Sequence, residues 1–196
     1  MSRIIGLRDL YMCPLTADNG TAAPTYGEAV KLPSVISMDI QDNTESVTFY
    51  SDDVAEQTIQ AFTGKEVTIE LGYLTNELEA QLSGNDYDKT TGVMTQNANA
   101  ESPEVALMFR APKSKGGAFQ YVVLYKGVLA REGSAYKTQE DSTESSNVTL
   151  KGVFMPLAYN GAVSAKVDTD QGTNTTVINN WFNKPYIKDA ATIAEK

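Results

Sequence analysis

Histidine is absent from this chain of 196 residues, and Cys13 is its single cysteine. The lack of histidine excludes Ser-His-Asp and Cys-His catalysis, together with the common zinc sites that use imidazole ligands. One thiol excludes internal disulfides, thiolate clusters and redox pairs, so Cys13 is expected to be buried in a protein kept in a reducing compartment. No phosphate-cradling loop is found, because Gly116-Gly117 falls in a predicted hairpin turn. The chain lacks the usual apparatus of an enzyme, and no cofactor or metal is expected.

Positive charge and long apolar runs are also scarce. The chain has 16 Lys and Arg against 25 Asp and Glu, a formal net charge of −9. This excess argues against unaided binding to a nucleic acid backbone. No run approaches the ~20 apolar residues of a membrane-spanning helix. Arg3, Arg8 and Asp9 interrupt the short apolar start, which argues against a signal peptide. The sequence therefore predicts a soluble protein made in a cytoplasm, with no membrane partner.

Strand-forming residues are abundant. The clearest pattern lies in Pro103–Ala130, where residues 105–110 and 119–126 each alternate between two faces, as strands do. The segment Lys113–Gly117 supplies a turn between them. Both faces of the second strand are largely apolar, so a helix, a second sheet or a neighbouring subunit should cover each of them. These features predict a mainly β fold organised around a central hairpin.

Further strands are predicted wherever apolar and polar residues alternate between turn signals. They span Ile4–Leu15, Ala29–Ile40, Thr58–Phe62, Lys65–Tyr73, Val148–Tyr159 and Ala162–Asp168. Pro14 is expected to end the first strand, because proline has no N–H to donate. The polar run Gln41–Thr44 predicts a turn that folds residues 47–49 back on the preceding strand. A second break is expected at Ser51–Asp53.

One α-helix is predicted at Asn76–Ser83. Asn76 is expected to cap it, with Glu79 completing a capping box. Leucines recur every four residues on one face of this helix: Leu74, Leu78 and Leu82. This spacing indicates a helix that packs its apolar face on the sheet, and Gly84 is the expected end.

Two polar segments depart from the strand pattern. Arg131–Asn147 is either a mobile loop or a β-arm that orders only against a partner. Its charged residues are candidates for contacts between subunits: Lys137, Glu140, Asp141 and Glu144. Residues 169–196 form a C-terminal extension with a brief helix predicted at Val177–Asn183. Within it, Trp181 and Phe182 are candidate anchors that dock the tail on its own core or on a neighbour. No boundary is evident, so residues 1–196 are predicted to form one domain.

Acidic turns offer weak candidates for chemistry. Asp52-Asp53 is interpreted as a solvated turn, because adjacent residues of a strand face opposite sides. The segment Asp168–Gly172 hints at a calcium loop, but it lacks the flanking helices and the terminal glutamate. An ordinary turn stabilised by aspartate side chains is the simpler interpretation there. Lys113 and Lys115 at the tip of the central hairpin suit solubility better than phosphate binding.

A series of segments, in order along almost the whole chain, carries a family resemblance. They are Ile5–Tyr11, Tyr26-Gly27, Met108–Ser114, Tyr121–Gly127, Gly152–Leu157, Ala165–Asp170 and Asn180–Phe182. None of these motifs is catalytic, and the specificity lies in the series. Together they resemble the major tail proteins of long, non-contractile-tailed bacteriophages (the phi13-type family).

The resemblance implies a β-sandwich or split-barrel core with one helix and a long β-hairpin arm, for which Arg131–Asn147 is the candidate. It also implies hexameric rings that stack into a hollow tail tube, through which DNA leaves the capsid. The expected partners are further copies of the chain, the tape-measure, distal-tail and terminator proteins of the tail, and transient, non-specific DNA. The expected location is the tail of the virion, assembled in the cytoplasm of a bacterial host.

Charge is distributed unevenly in a way that bears on such a tube. Of the 25 acidic residues, 14 lie between Leu32 and Glu104, with only Lys65 and Lys89 among them. A solvated face explains this equally well. In a tube, an acidic wall would repel DNA phosphates and keep the duplex sliding, whereas a basic wall would hold it. The candidate residues facing the lumen are Asp39, Glu45, Asp52, Glu66 and Glu70.

Other functions remain open at this stage. A tail terminator or distal-tail component would form one ring without polymerising. A carbohydrate-binding β-sandwich would use tyrosines and Trp181 against the faces of sugars. An enzyme ranks last, because the residues that transfer protons and attack substrates are missing.

Overall fold

The computed structural model describes residues 2–51, 54–114, 116–133, 147–172 and 175–188. It confirms the mainly β class, since most of the described residues lie in strands and few lie in helices. The elements in chain order are β1 Arg8–Ala17, β2 Thr25–Tyr26, β3 Val30–Lys31, β4 Val35–Ser51, β5 Val54–Leu71, α1 Asn76–Ser83, β6 Asp86–Asp88, β7 Val93–Thr95, β8 Val105–Pro112, β9 Phe119–Arg131, β10 Val148–Phe154, β11 Ser164–Asp168 and α2 Thr175–Asn179.

A single antiparallel sheet forms most of the protein. Its strand order is β2-β1-β8-β9-β10-β5-β4, with β3 also paired to β1 and β11 also paired to β9. The predicted central hairpin is its middle, with Pro112 opposite Phe119 at the turn. Strand β8 is buried along most of its length, as expected of a strand covered on both faces.

The two ends of the sheet meet through the chain itself. Strand β3 pairs with β1, and β4 begins only four residues later against β5. The N–H of Leu32 donates to the carbonyl of Leu10 at 2.9 Å, and the N–H of Gly72 donates to the carbonyl of Ser34 at 2.8 Å. Residues 30–35 therefore connect the two ends of the sheet, whose strands share one core. This curled sheet is called the barrel below, although no described strand pairs with the outer edge of β4.

The interior of the barrel is the main core. It collects fully buried side chains from strands at both ends of the sheet, among them Leu10, Val67, Leu107, Leu124 and Leu150. Helix α1 closes one end through the predicted leucine face: Leu74, Leu78 and Leu82. Burying such side chains contributes about 1.5–3 kcal/mol each, which makes this core the main source of stability.

A second apolar layer covers the outside of β1, β8 and β9. Met108, Val123 and Tyr125 point outward from the barrel, and Leu157 and Trp181 of the C-terminal part pack on them. Helix α2 precedes Trp181, which lies in the turn after the helix and not within it. Both faces of β9 are thereby buried, one by the barrel interior and the other by the C-terminal layer.

The prediction of a turn at Gln41–Thr44 is wrong. These residues lie inside β4, opposite an equally continuous β5, so the strands predicted at 58–62 and 65–73 are one. An irregularity in register between Asn43 and Thr44 accommodates the polar run, and Asp42 pairs with Lys65 across the strands. Pairing along the full length of two strands outweighs the local turn preference of Asp and Asn. Strand β4 ends at Ser51 and β5 begins at Val54; the break predicted at Ser51–Asp53 lies mostly outside the described residues.

Strand ends also differ from prediction. The first strand begins at Arg8, and Pro14 lies within it, where the proline carbonyl accepts from the N–H of Gly27 at 2.8 Å. The strand predicted to reach Tyr159 ends at Phe154. In the loop before β8, strands β6 and β7 form a small hairpin.

Helix α1 has the predicted bounds but a different cap. Thr75 is the N-cap, because its hydroxyl accepts from the N–H of Leu78 at 3.2 Å, and Asn76 is the first helical residue. Gly84 ends the helix in the left-handed region with φ 70°, as predicted. A side chain there would lie 2.0 Å from the carbonyl of Glu101, so the position requires glycine on both counts.

Candidate assembly surfaces

The longest structure outside the barrel is a hairpin of residues 43–63, called here the projecting hairpin. Strand β10 ends where Phe154 pairs with Lys65, so β5 has no partner on that side before this point. The close approach is fixed at Gly64, where a Cβ would lie 2.5 Å from the carbonyl of Phe154. The ten residues of β5 before Gly64 extend about 30 Å and pair only with β4.

The β5 strand of the projecting hairpin is exposed on both faces over residues 57–63. Residues 57–63 are all exposed, including Ile59 at 48% and Phe62 at 43%. Residues 43–63 contain four acidic side chains and no basic one, whereas the part from 57 to 63 carries no charge. A two-stranded ribbon of this length is marginal in water by itself, so such a surface suits contact with another molecule.

Strand β4 adds a second open surface. It is the last strand of the sheet, and its outer edge has no partner strand within the described part of the chain. It runs for 17 residues without proline or lysine, the residues that commonly protect sheet edges. Its unpaired N–H and C=O groups therefore form a template onto which another strand can add.

Acidic side chains gather on the outer face of β4 and β5. Asp39, Glu66 and Glu70 share this face, opposite the core residues of the same strands. Ser37 donates to Glu70 at 3.2 Å, and Gln41 donates to Asp39 at 2.8 Å, so the carboxylates are held along the strands. Three of the five residues predicted to face a lumen thus lie together.

The remaining two lumen candidates are placed differently. Glu45 is exposed on the projecting hairpin, beyond the barrel. Asp52 lies outside the described residues. The outer face also carries one cation, Lys151, whose pKa is raised by its hydrogen bond to Glu132 at 2.7 Å. The face is therefore predominantly, but not wholly, acidic.

The two predicted docking aromatics both lie against the protein's own sheet. Trp181 is 2% exposed, and its indole N–H donates to the carbonyl of Val122 at 3.4 Å. Phe182 is half-buried, with its ring centroid 4.9 Å from that of Tyr11. The hydroxyl of Tyr125 donates to the carbonyl of Tyr186 at 2.7 Å. These contacts fasten the C-terminal layer to the barrel within one chain.

Ion pairs join distant parts of the chain at the rim of the barrel. Lys113 lies 2.9 Å from Asp168 and 2.6 Å from Asp170, which assigns these carboxylates to a lysine and not to a calcium ion. Hydrogen bonding to both aspartates raises the pKa of Lys113. The sequence interpretation of Lys113 as a solubility residue is therefore wrong, because its side chain is only 7% exposed.

A second group of polar contacts, called here the Asp18 clamp, surrounds the carboxylate of Asp18, whose side chain is 2% exposed. Burial of its carboxyl group raises the pKa, but hydrogen bonds outweigh this and leave the pKa below its ordinary value of 3.8. The donors are the N–H of Ala158 at 2.8 Å and the ammonium group of Lys126 at 3.1 Å. Asp18 thus ties the loop after β1 to β9 and to the start of the C-terminal layer.

A groove of about 700 Å³ opens beside α1, called here the α1-end groove. Its apolar lining includes Leu82, Met94, Leu129 and Leu150, and small or polar residues between 96 and 102 also line it. On its floor, Arg131 donates from Nη1 to Glu79 at 2.6 Å. The Nε atom of the same guanidinium is buried and has no hydrogen-bond partner among the described residues.

The segment predicted as the arm lies largely outside the described residues. Its candidate contact residues all do: Lys137, Glu140, Asp141 and Glu144. The long hairpin that the structure does show is at 43–63, which sequence reasoning divided into separate strands and turns. A signal for it was present, since strand-forming residues without Gly or Pro run from Thr44 to Tyr50 and from Val54 to Thr63.

Chemistry of other kinds finds no support in the described part of the chain. No three His, Cys, Asp or Glu side chains there converge as metal ligands. None of the helices there has the length and apolar character needed to cross a bilayer. Cys13 is buried, which raises its pKa to about 11 and leaves it a poor nucleophile. No protein-family model matches the chain, and no curated protein sequence matches it either.

Proposed function

We propose that this chain is a structural subunit of a bacteriophage tail tube, which assembles into hexameric rings that stack around a DNA channel. The resemblance of its sequence segments to major tail proteins supports this, and so does the mainly β fold with a helix and a long hairpin. Within the described residues, the barrel offers open surfaces for contact with other copies. The subunit would act in the virion, with other tail proteins at the ends of the tube.

The observation that carries the proposal is the open β4 edge continuing into the projecting hairpin. An exposed edge of 17 residues is a liability for a free monomer, because it templates aggregation. A closed ring removes that liability by pairing every edge with a neighbour, and its symmetry limits growth in the plane. The hairpin is left to extend out of the ring.

The acidic outer face gives the channel its proposed wall. Asp39, Glu66 and Glu70 lie beside the β4 edge. In a ring closed through that edge, these three residues would repeat in every subunit around the proposed channel wall. Their charge would keep DNA phosphates from adhering, because counterion release favours binding only to a cationic surface. Replacing all three with lysine is expected to slow DNA ejection and to increase its salt dependence.

Assembly can be tested with the purified protein. Electron microscopy and sedimentation at rising protein concentration are expected to show six-fold rings and then stacked tubes, with or without a tail initiator complex. A protein that stays monomeric at every concentration and adds to no initiator complex contradicts the proposal. Single rings that never stack favour the alternative of a tail terminator or distal-tail component.

Truncation sharpens the test. Shortening the projecting hairpin by replacing Glu45–Ala61 with a two-residue turn is expected to leave a folded barrel that no longer forms tubes. The matched control shortens the exposed loop at Thr21–Ala23, which belongs neither to the open edge nor to the α1-end groove. Normal tubes from the first variant would remove the hairpin from the assembly mechanism.

A carbohydrate-binding role receives less support. The Trp181 ring that such a site would use is 2% exposed and packs against the sheet. Sugar-binding aromatic rings instead need an open face on which a sugar can stack.

A further inference from the structure

The projecting hairpin and the α1-end groove lie at opposite ends of the molecule. Strand β5 begins in the hairpin at Val54 and ends at Leu71, and α1 starts five residues later. Eighteen residues of strand extend about 60 Å. Two surfaces separated in this way cannot meet within one copy, whereas copies stacked with the same polarity would bring one surface of each copy toward the other surface of the next.

The groove has the dimensions and lining of a binding site. Its volume of about 700 Å³ falls within the range of about 300–1,000 Å³ typical of ligand clefts. Leu82, Met94 and Leu129 supply apolar walls beside polar side chains such as Asn85. Because Arg131 and Glu79 pair with each other, the groove offers no net charge to an incoming segment.

One polar atom in the groove lacks a partner. The Nε–H group of Arg131 is buried and makes no hydrogen bond to any described residue. Buried donors without acceptors are rare in folded proteins and cost about 1–3 kcal/mol. The groove therefore calls for an occupant that brings a hydrogen-bond acceptor together with apolar side chains.

The shaft of the projecting hairpin has this composition. Residues 57–63 carry no charge, expose Ile59 and Phe62, and add amide and hydroxyl oxygens from Gln57, Gln60 and their neighbours. A neutral, mixed segment matches a neutral, mixed groove. Glu45 pairs with Ala61 from the neighbouring strand, so the uncharged surface offered to the groove is the β5 side of the shaft.

We propose that the α1-end groove of one copy receives the projecting hairpin of the next copy in the stack. The inference rests on the proposed function and specifies where a stacked subunit binds its neighbour. The contact is head-to-tail, since the donating and accepting surfaces differ. Such contacts repeat without closing, which lets rings add indefinitely along an axis.

Cross-linking tests this placement directly. Gln60→Cys in the hairpin shaft and Ala98→Cys at the groove rim are both at exposed positions, whereas the native Cys13 is buried. When a short bismaleimide is added to the assembled protein that carries both substitutions, it is expected to give a ladder of covalent multimers. The matched control combines Gln60→Cys with Ala22→Cys, an exposed loop position that does not line the groove.

The outcomes separate this inference from the proposed function. A ladder from the groove pair alone supports docking in the groove. Tubes that give no ladder, or equal ladders from both pairs, overturn the docking site and leave the tube function standing. Protein that never stacks overturns both.

A charge at the rim gives a second measurement. Ala98→Glu is expected to raise the concentration needed for stacking about tenfold or more, because a carboxylate would lose water against a neutral shaft. Ring formation should be unchanged. Ala22→Glu, with the same change in net charge, is expected to stack normally. Equal stacking by the two variants would contradict the proposal.

Discussion

Strands β4 and β5 build two regions with opposite physical character. Within the barrel, Val67, Ile69 and Leu71 of β5 are fully buried, and β10 pairs along that half of the strand. In the projecting hairpin, Ile59 and Phe62 of the same strand are 48% and 43% exposed, and only β4 pairs with them. The barrel half is held by its own chain. The hairpin half makes few stabilising contacts with the rest of its own chain, so contacts with a partner can determine its conformation.

The largest expected difference between the two halves of β5 is in their rates of amide hydrogen exchange. In unassembled protein, amides of residues 57–63 should exchange roughly 10³-fold or more faster than those of residues 67–71, because only the latter need global unfolding to open. In tubes, the difference should shrink as the hairpin binds a neighbour. Equal protection along β5 in the unassembled protein would show that the hairpin is stable by itself.

Removing one aromatic ring from each region is the next sharpest comparison. Trp181→Ala is expected to lower the free energy of unfolding by about 3–5 kcal/mol, because it leaves a large cavity under the C-terminal layer. Phe62→Ala is expected to change it by less than about 0.5 kcal/mol, since its ring is half exposed, yet to weaken assembly. Urea denaturation measures the free energy of unfolding of both variants, and sedimentation measures how well each assembles.

The Asp18→Ala variant tests the contacts around Asp18, and its expected loss of stability is smaller than that of Trp181→Ala. The variant leaves the N–H of Ala158 and the ammonium of Lys126 without their shared acceptor, so a loss of about 1–3 kcal/mol is expected. Asp39→Ala, on the exposed outer face, is the matched control and should be nearly neutral. A loss of similar size in both variants would mean that general charge, and not the clamp, determines stability.

The smallest expected effect is that of pH between 5 and 8. Without histidine, no side chain titrates there at its ordinary pKa. Hydrogen bonding to Lys31 is the main cause that lowers the pKa of Asp9, and the pKa of Asp18 is lowered as well. Their contribution to stability is complete above the unfolded pKa near 3.8 and is lost as pH falls through the lower folded pKa. Thermal unfolding should therefore be level from pH 5 to 8 and decline only below about pH 4.

The sequence predicted the elements whose signals are local. The β8–β9 hairpin follows from alternation, and α1 follows from leucine spacing and Gly84, because these patterns involve neighbouring residues. The groove and the projecting hairpin were missed. Arg131 and Glu79, which pair in the groove, are 52 residues apart in the sequence. No local sequence pattern predicts a contact between residues so far apart.

The error at Gln41–Thr44 has the same origin. Asp and Asn favour turns on local grounds, whereas their strand conformation depends on partners about twenty residues later in β5. The acidic candidates Asp39, Glu66 and Glu70 were predictable as a group, because alternation alone places them away from the core. Their position next to the open β4 edge required the strand order.

The strand order of the barrel has a consequence for synthesis on the ribosome. Strand β1 emerges first, but its neighbour β8 lies about a hundred residues later, with Tyr11 opposite Met108. At about 5–20 residues per second, β1 waits roughly 5–20 seconds for that neighbour. Throughout this interval β1 can pair only with the nearby β2 and β3, while the β4–β5 and β6–β7 hairpins form locally, since non-local strands pair slowly. Nascent chains would thus display the projecting hairpin before the barrel is complete. If copies do bind through it as proposed, several ribosomes on one message would favour premature contacts between copies.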